Sequence, residues 1–355
     1  MTNEKPCDKI ISSKLIGVIP NGGKFMKKLL AVICAVFMAL SVTACGSTSD
    51  KKDEKTTKDS FKVGICQLVQ HPALDEATRG FKETLEKKLK ADGKTVTFDE
   101  QNASGDSATC STITNQFVSE NDDLIMANAT AALQAAVSAT KEIPILGTSI
   151  TDYGEALGVE DWTGVSGANV SGTSDLAPLD EQAAMLTELF PDAKKVGILF
   201  CSGEPNSKYQ STEITKHFEK AGLTVKEFSF ADSNDVASVT KSACSDSDVI
   251  YIPTDNTAAS CSKAINNVAL KAKVPIIAGE EGICSGCGVA TLSISYYDLG
   301  CQTGEMAYDV LVNGADISKM EVKYAPKVTK KYNEEICKTL GVKIPDGYEK
   351  IVTEE

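Results

Sequence analysis

The side chains best placed to bind a small molecule follow four short apolar segments of the chain. They are Thr130, Ser149, Thr254 with Asp255, and Glu280. A hydroxyl beside the free N–H groups of a helix N-terminus forms an anion site that needs no arginine, and this would suit an α-carboxylate. Asp255 or Glu280 could accept an α-ammonium group across a cleft. Helix capping alone is the alternative role of Thr130 and Asp255.

Six further candidates lie in loops or at a predicted crossover between domains: Gln67, His71, Asn206, Ser207, Tyr296 and Asp298. His71 precedes Pro72, which holds it out of a helix and favours a position in the cleft lining. Loop packing is its alternative role. Asn206 and Ser207 occupy the matching loop of the second half, where they could instead cap a helix, and Asp298 could likewise be an N-cap.

An aromatic ligand would also need apolar or stacking walls, for which Tyr153 and Tyr296 are the candidates. Trp162, the one tryptophan, lies in a polar loop and is interpreted as a packing residue. Of the two histidines, His217 has no nearby partner in sequence, and the chain contains no GxSxG, HExxH or P-loop motif. The sequence therefore predicts a binding protein with no cofactor, no metal and no catalytic residues, rather than an enzyme.

Charge excludes other ligand classes. The net charge of −13 argues against nucleic acid, which requires clustered lysine and arginine. Arg79 is the one arginine of the 355 residues, so no arginine cluster can clamp a phosphate or a sugar acid.

The predicted strands and helices that carry the candidate binding residues form a repeat that occurs twice along the chain. Lys62-Val63-Gly64-Ile65 recurs as Lys195-Val196-Gly197-Ile198, and DLIMAN and IPILG of the first half correspond to DVIYIP and VPIIAG of the second. Strands alternate with helices in both halves, which indicates parallel sheets covered on both faces. The fold class is therefore α/β, with two similar domains, and ligands of such sheets lie beyond the carboxyl ends of the strands.

Small residues at Asn169–Asp175 suit a hinge, and we expect the chain to cross between domains near residues 175, 293 and 323. This gives a first lobe of residues 61–175 plus 293–322. The second lobe comprises residues 176–292 plus 323–355. Three short hinge strands would allow closure around a ligand.

The body from Phe61 to Asp346 resembles the substrate-binding lipoproteins of ABC importers, in the branch that includes tryptophan- and tyrosine-binding members. The motifs that carry this resemblance are QLVQHPALD (67–75), NASGD (102–106), TD (151–152), NVSGTSD (169–175), EPNS (204–207), PTDN (253–256) and YYDLG (296–300). The resemblance implies the type I periplasmic-binding-protein fold, ligand capture by hinge closure, and delivery to permease and ATPase subunits.

The N-terminal region has the order of a bacterial lipoprotein. Residues 26–44 combine two lysines, an apolar segment too short for a comfortable membrane span, and small residues before Cys45. The similarity to a lipobox implies cleavage before Cys45, diacylglycerol on its sulfur, and an anchored position on the outer face of the bacterial membrane. Residues 45–60 read as a flexible tether. Residues 1–25 are interpreted as an upstream extension, with translation beginning at Met26.

Nine cysteines follow Cys45, and Cys284-Ser285-Gly286-Cys287 is the one CxxC motif. We expect it to lie in a loop, where a local disulfide is more plausible than a metal site, because a second pair is absent. Several other cysteines fall inside predicted strands and helices and read as free core thiols.

The favoured ligand is a free amino acid, with aromatic ones among the candidates. A nucleoside or sugar is the alternative ligand, although the chain is poor in the tryptophan and arginine that sugar sites use. A ligand sensor for a signalling receptor is the alternative role.

Overall fold

The computed structural model describes residues 58–325 and 327–351. The predicted extension (1–25), signal peptide (26–44), Cys45 and most of the tether (45–60) lie outside these residues. Within them, no helix has the length and apolar character needed to span a membrane.

The strands are β1 (Ser60–Gln67), β2 (Thr95–Asn102), β3 (Leu124–Asn128), β4 (Ile145–Ile150), β5 (Val170–Ser174), β6 (Lys195–Cys201), β7 (Thr224–Phe230), β8 (Val249–Ile252), β9 (Ile276–Ala278), β10 (Ala290–Ile294), β11 (Lys323–Tyr324), β12 (Val328–Tyr332) and β13 (Glu349–Lys350). The helices are α1 (Pro72–Ala91), α2 (Ser107–Ser119), α3 (Thr130–Ala139), α4 (Tyr153–Leu157), α5 (Leu179–Leu189), α6 (Pro205–Lys220), α7 (Val236–Asp246), α8 (Asn256–Ser260), α9 (Ser262–Ala272), α10 (Glu281–Cys287), α11 (Tyr296–Leu311) and α12 (Glu334–Leu340).

The strands form two sheets, with orders β11-β5-β4-β3-β1-β2 and β13-β12-β10-β9-β8-β6-β7. The first five strands and the next five therefore follow the same order, with parallel pairing within each set. β12 runs antiparallel to β10 at the edge of the second sheet. The prediction of two similar parallel-sheet α/β domains is confirmed.

Helices cover both faces of each sheet, because the strands are apolar on both faces. Alternate residues of β1 belong to different cores: Val63 and Ile65 pack with α1 and α11, whereas Cys66 packs with α2 and α3. The second sheet also has a core on each face, one shared with α7 to α10 and the other with α5, α6 and α12. These layers hold the carboxyl ends of the strands in place.

The chain crosses between the sheets after β5, after β10 and after β11. Helix α11 packs on α1 beside the first sheet, and their backbones meet at Gly80 and Gly300. Lys323 and Tyr324 pair with β5, so the last crossing lies after Tyr324, slightly later than the expected boundary at 323. β12 then joins the second sheet.

The prediction of a loop at the CxxC motif is wrong. Cys284 and Cys287 lie on α10 and are buried in the core, since the Glu280 carboxylate accepts from the N–H groups of Gly282 and Ile283 and so starts a helix there. All nine cysteines in the described part of the chain are free thiols.

Candidate functional site

The carboxyl ends of the first sheet's strands place several polar residues at one edge. Gln67, Asn128 and Thr148 are aligned across β1, β3 and β4 by the register of the pairing. All three are buried, although they lie at the end of the sheet where solvent would be expected. Helix α1 covers Gln67 and Asn128 through hydrogen bonds from or to Leu74, Asp75 and Thr78, and Thr148 accepts from Thr173 Oγ1.

Two backbone positions beside this edge adopt unusual conformations. Ala129 has φ +89° and Ser149 has φ +56°, a region that residues other than glycine seldom occupy. Such strain persists where the surrounding structure enforces it, frequently at binding sites. At Ala129 this conformation lets α3 begin directly after β3. At Ser149, the residue before the last of β4, it accompanies a buried hydroxyl.

Helix α3 begins at Thr130 without a side-chain cap, because Ala129 occupies the N-cap position. Its first N–H groups therefore point at the cleft without the usual oxygen acceptor. Thr130 is buried, and the Oγ atom of Ser149 is buried without a hydrogen-bond partner among the described residues. The helix N-terminus and two hydroxyls together present hydrogen-bond donors of the kind that bind an anion.

His71 lies between the two lobes. Its Nε2 atom is 3.2 Å from Oδ1 of Asn256 in the second lobe, and its Nδ1 atom is buried without a partner within residues 58–325 and 327–351. Burial lowers the pKa of the imidazole, so it is neutral at pH 7. His71 thus lies where the two lobes meet, and its contact with a ligand stays a prediction.

Four carboxylates are buried near the junction of the two lobes: Asp175, Glu204, Asp255 and Glu280. Glu280 and Glu204 line the two cavities described below. None of the ion pairs formed by the described residues involves any of them. Buried carboxylates are ordinarily paired with a cation, whereas these four accept hydrogen bonds from backbone N–H groups and from polar side chains.

Asp175 is the acid at the centre of the contacts between the lobes. Its Oδ2 atom accepts from the Tyr296 hydroxyl at 2.9 Å, and its Oδ1 atom accepts from Thr151 Oγ1 at 3.1 Å. Gln210 of the second lobe reaches Thr151 Oγ1 at 3.4 Å. A chain of hydrogen bonds therefore crosses the cleft through a carboxylate that has no basic partner.

Asp255 has a different role from the ammonium acceptor predicted from sequence. Its Oδ1 atom accepts from the Ala258 N–H at 2.7 Å, and its Oδ2 atom accepts from the Cys201 N–H at 2.6 Å. The capping alternative is therefore the role observed. Glu280 also caps a helix, but it lines a cavity together with Tyr296 and remains close to Asp175.

Four other predicted residues stabilise the loops around the cleft. The side-chain amide of Gln67 donates to Asp75 and accepts from the Thr78 hydroxyl, both of α1. Asn206 and Ser207 donate to the Thr254 carbonyl. The Thr254 N–H donates to the Gln210 side chain, and the Thr254 carbonyl accepts from it. The side chain of Thr254 is half-buried.

Asp298 has neither of the positions predicted from sequence, a cleft-lining site or the N-cap of a helix. It lies exposed on the first turn of α11, and Ser295 is the residue that caps this helix. Tyr153 is not a cleft wall either, because it is buried in the first core, where it stacks on Trp162 with ring centroids 5.9 Å apart. The packing role predicted for Trp162 is confirmed.

Two cavities lie along the cleft. One, of about 310 Å³, includes Ala73, Glu280, Ile294 and Tyr296 in its lining. The other, of about 390 Å³, is lined by Leu68, Val69 and Ala131 on the first lobe and by polar residues of both lobes, among them Asp106, Glu204, Asn206 and Asn256. Both volumes are in the range of small-molecule sites.

Sequence reasoning omitted Asp175, Gln210 and Asn256 from the site, although Asp175 and Asn256 belong to motifs that carry the family resemblance. Asp175 follows β5, and a position after a strand is the same signal that identified Asp255. Gln210 lies one helical turn beyond Asn206, a spacing that places both on one face of α6.

The pKa values of the buried acids determine how the free energy of unfolding depends on pH. Burial raises the pKa of Asp175 to about 6, of Glu280 to about 7 and of Asp255 to about 8. The folded state therefore holds protons that the unfolded chain has lost, and stability falls as pH rises. Between pH 7 and 8, above the midpoint for an unfolded histidine, we expect the free energy of unfolding of the ligand-free protein to fall by about 1 kcal/mol.

Urea unfolding at several pH values measures this slope. In Asp255→Asn, the contribution of that group should vanish and the slope should flatten. A free energy of unfolding that rises from pH 7 to 8 would contradict the assignment of buried, unpaired acids.

Residues 62–354 match the protein family described as ABC transporter substrate binding protein. A tyrosine-binding protein of Clostridioides difficile (strain R20291) is 38% identical over 322 residues, which cover 89% of this chain and 93% of that protein.

Two solved structures are similar in sequence and fold. An ABC domain from Streptococcus pneumoniae in complex with L-Trp is 34% identical, with a TM-score of 0.77, over 82% of this chain and 100% of that one. The ligand-free, open structure of a substrate-binding protein with adhesive properties from Clostridium difficile is 38% identical, with a TM-score of 0.64, over 83% and 100%. The better superposition on the tryptophan complex agrees with the hydrogen bonds that cross the cleft here. The type I periplasmic-binding-protein fold is confirmed.

Proposed function

The chain belongs to the ABC transporter substrate-binding protein family, and from this premise we propose that its cleft captures a free amino acid, with an aromatic one favoured. The α-carboxylate would lie against Thr130, Ser149 and the uncapped N-terminus of α3. The α-ammonium would lie against Asp175, with Glu280 nearby. This assigns the cationic contact to a different acid from Asp255, whose two oxygens bind backbone N–H groups.

The observation that carries this proposal is the asymmetry of charge in the buried cleft. The start of α3 and Ser149 offer N–H and hydroxyl donors without a side-chain acceptor, and Asp175, after the neighbouring strand β5, is a buried carboxylate without a basic partner among the described residues. A zwitterion satisfies both sides at once. In a closed site of low dielectric, each of these contacts is stronger than in water, and a ligand that lacks one charge leaves a buried group unpaired.

The preference for an aromatic side chain rests on the relatives and on the cavity. A relative named as tyrosine-binding and a structure solved with L-Trp share 38% and 34% identity with this chain. The apolar wall of Leu68, Val69 and Ala131 offers a surface for a ring, and polar groups such as Asp106 and Glu204 across the cavity could accept from a ring donor.

Hinge closure would then present the loaded protein to an ABC permease with its ATPase. In this proposal Cys45 carries a lipid that holds the protein at the outer face of the membrane, and the ligand leaves unchanged, without catalysis. The order of basic residues, apolar segment and small residues before Cys45 supports the anchor.

A thermal-shift screen with amino acids, nucleosides and sugars tests the ligand class. A ligand at a hundred times its dissociation constant adds roughly 2.7 kcal/mol of stability, which raises Tm measurably. The proposal predicts the largest rise with aromatic amino acids. A rise with nucleosides or sugars alone would contradict the zwitterion site, although it would leave the family assignment intact.

A further inference from the structure

A chain of three buried polar side chains joins the two lobes. The Nε2 atom of His71 is 3.2 Å from Oδ1 of Asn256, and the Nδ2 atom of Asn256 donates to Oε2 of Glu204 at 2.7 Å. The three residues are 6%, 8% and 7% exposed. Because His71 belongs to the first lobe and the other two belong to the second, the chain is complete only when the lobes are together.

The Glu204 carboxylate determines which way the Asn256 amide points. Its Oε2 atom accepts from the Asn256 main-chain N–H at 3.0 Å, and its Oε1 atom accepts from the Thr257 main-chain N–H at 2.8 Å. Main-chain N–H groups only donate, so Glu204 acts as an acceptor here, and the Asn256 atom that faces it is the NH₂ group. The amide oxygen of Asn256 therefore faces His71.

This amide oxygen determines the tautomer of the imidazole. An amide oxygen has no proton to donate, so Nε2 of His71 carries the proton and donates it to Asn256. The Nδ1 atom of the neutral ring is then an acceptor. It is buried and has no hydrogen-bond partner in the part of the chain that the structure describes. A buried acceptor without a donor is costly, and a donor brought by a ligand would remove that cost.

His71 adjoins the cavities along the cleft. Val69 and Asn256 line the cavity of about 390 Å³, whereas Pro72 and Ala73 line that of about 310 Å³. The larger cavity has the apolar wall proposed for an aromatic ring. Both oxygens of Glu204 in that cavity already accept hydrogen bonds, whereas Nδ1 of His71 accepts none.

We propose that His71 is a specificity-determining residue, whose Nδ1 atom accepts a hydrogen bond from the ring of the ligand, either the phenol O–H of tyrosine or the indole N–H of tryptophan. This inference rests on the proposed function, in which the α-carboxylate has no proton to donate and the α-ammonium lies against Asp175. The polar group of the ring is the donor that remains. Closure brings Asn256 to Nε2 and so makes Nδ1 an acceptor as the ligand is enclosed. Phenylalanine has no ring donor and would leave Nδ1 unpaired.

Calorimetric titration with L-tyrosine and L-phenylalanine tests this role in the wild-type protein and in His71→Gln. Glutamine can place its amide nitrogen near the position of Nε2, but it has no atom at the position of Nδ1. We expect His71→Gln to weaken tyrosine binding by about 10-fold and not to weaken phenylalanine binding. His217→Gln is the matched control, because it makes the same change at a half-buried position of α6, and it should leave both affinities unchanged.

NMR spectroscopy of protein with isotope-labelled histidine gives a second readout that requires no variant at His71. The chain has two histidines, so His217→Gln assigns both sets of signals. With saturating L-tyrosine, the signals of His71 should show the Nε2–H tautomer, and the Nδ1 signal should move upfield as this atom accepts a hydrogen bond. The signals of His217 should not move.

The outcomes separate this inference from the proposed function. Tyrosine binding with an unmoved Nδ1 signal, or with a proton on Nδ1, would overturn the role of His71 and leave the proposed function intact. Equal losses of tyrosine and phenylalanine binding in His71→Gln would also overturn it. Failure of both amino acids to bind the wild-type protein would contradict the proposed function together with the inference.

Discussion

Replacing Asp175 with asparagine is expected to weaken amino acid binding by about 10- to 100-fold. The substitution keeps the shape of the side chain and an oxygen for Thr151 or Tyr296, but it removes the negative charge that faces the α-ammonium. A hydrogen bond to a charged group contributes about 1.5–3 kcal/mol, which corresponds to this range of affinity. Isothermal titration calorimetry on the wild-type protein and the variant measures the change.

Asp298→Asn is the matched control. It makes the same chemical change at an exposed position of α11, two residues after Tyr296 and on a different face of the helix, and should leave the affinity unchanged. An Asp175→Asn variant that binds as tightly as the wild-type protein would remove Asp175 from the site. Equal losses in both variants would point to a general effect of charge rather than to contact with the ligand.

Gly300→Ala is expected to destabilise the fold by about 3 kcal/mol, because overpacking at a close contact forces the backbone to move. A Cβ atom at Gly300 would lie 2.0 Å from the Ala77 carbonyl oxygen, which belongs to α1. Helix α11 carries Tyr296 at its N-terminus, so separation of the two helices would also displace the hydroxyl that binds Asp175.

Thermal unfolding measures this effect, and Gly203→Ala is the control. A Cβ atom at Gly203 would meet its nearest neighbours at 3.7 Å and 3.8 Å, which are ordinary contact distances, so Tm should change little. Gly300→Ala should lower Tm by roughly 5–10 °C. An unchanged Tm would mean that α1 and α11 can separate without loss, contrary to the close packing described here.

The repeat explains why so much of the fold could be predicted from sequence. Segments such as DLIMAN and DVIYIP are buried strands on both faces, and their periodicity is unambiguous when it occurs twice in the same order. The equal strand order of the two sheets follows from that repetition. The crossings could be placed within a few residues, because each comes directly after an apolar segment.

The site was harder to predict because the two repeats differ where they would bind ligand. In the first lobe the residue before α3 is Ala129, which cannot cap, whereas in the second lobe Asp255 caps α8. Sequence reasoning treated Thr130 and Asp255 as equivalent ligand contacts. The structure instead leaves the helix N-terminus uncapped in one lobe and places a capping carboxylate at the corresponding position of the other.

The remaining errors have the same physical origin. Asp298 and Ser295 both suit the start of α11, and spacing alone did not identify Ser295 as the cap. Asp175 was interpreted as part of a hinge because small residues precede it, and its role depends on Thr151 and Tyr296, which are distant in sequence. Contacts of this kind cannot be predicted from local pattern.

The proposed function depends on recognition of both charges of an amino acid. Calorimetric titration compares L-tyrosine with tyramine, which lacks the carboxylate, and with 3-(4-hydroxyphenyl)propionate, which lacks the ammonium group. We expect tyrosine to bind and each analogue to bind at least about 100-fold more weakly, because each leaves one buried set of polar groups unpaired. Binding of either analogue as tightly as tyrosine would contradict recognition of both charges.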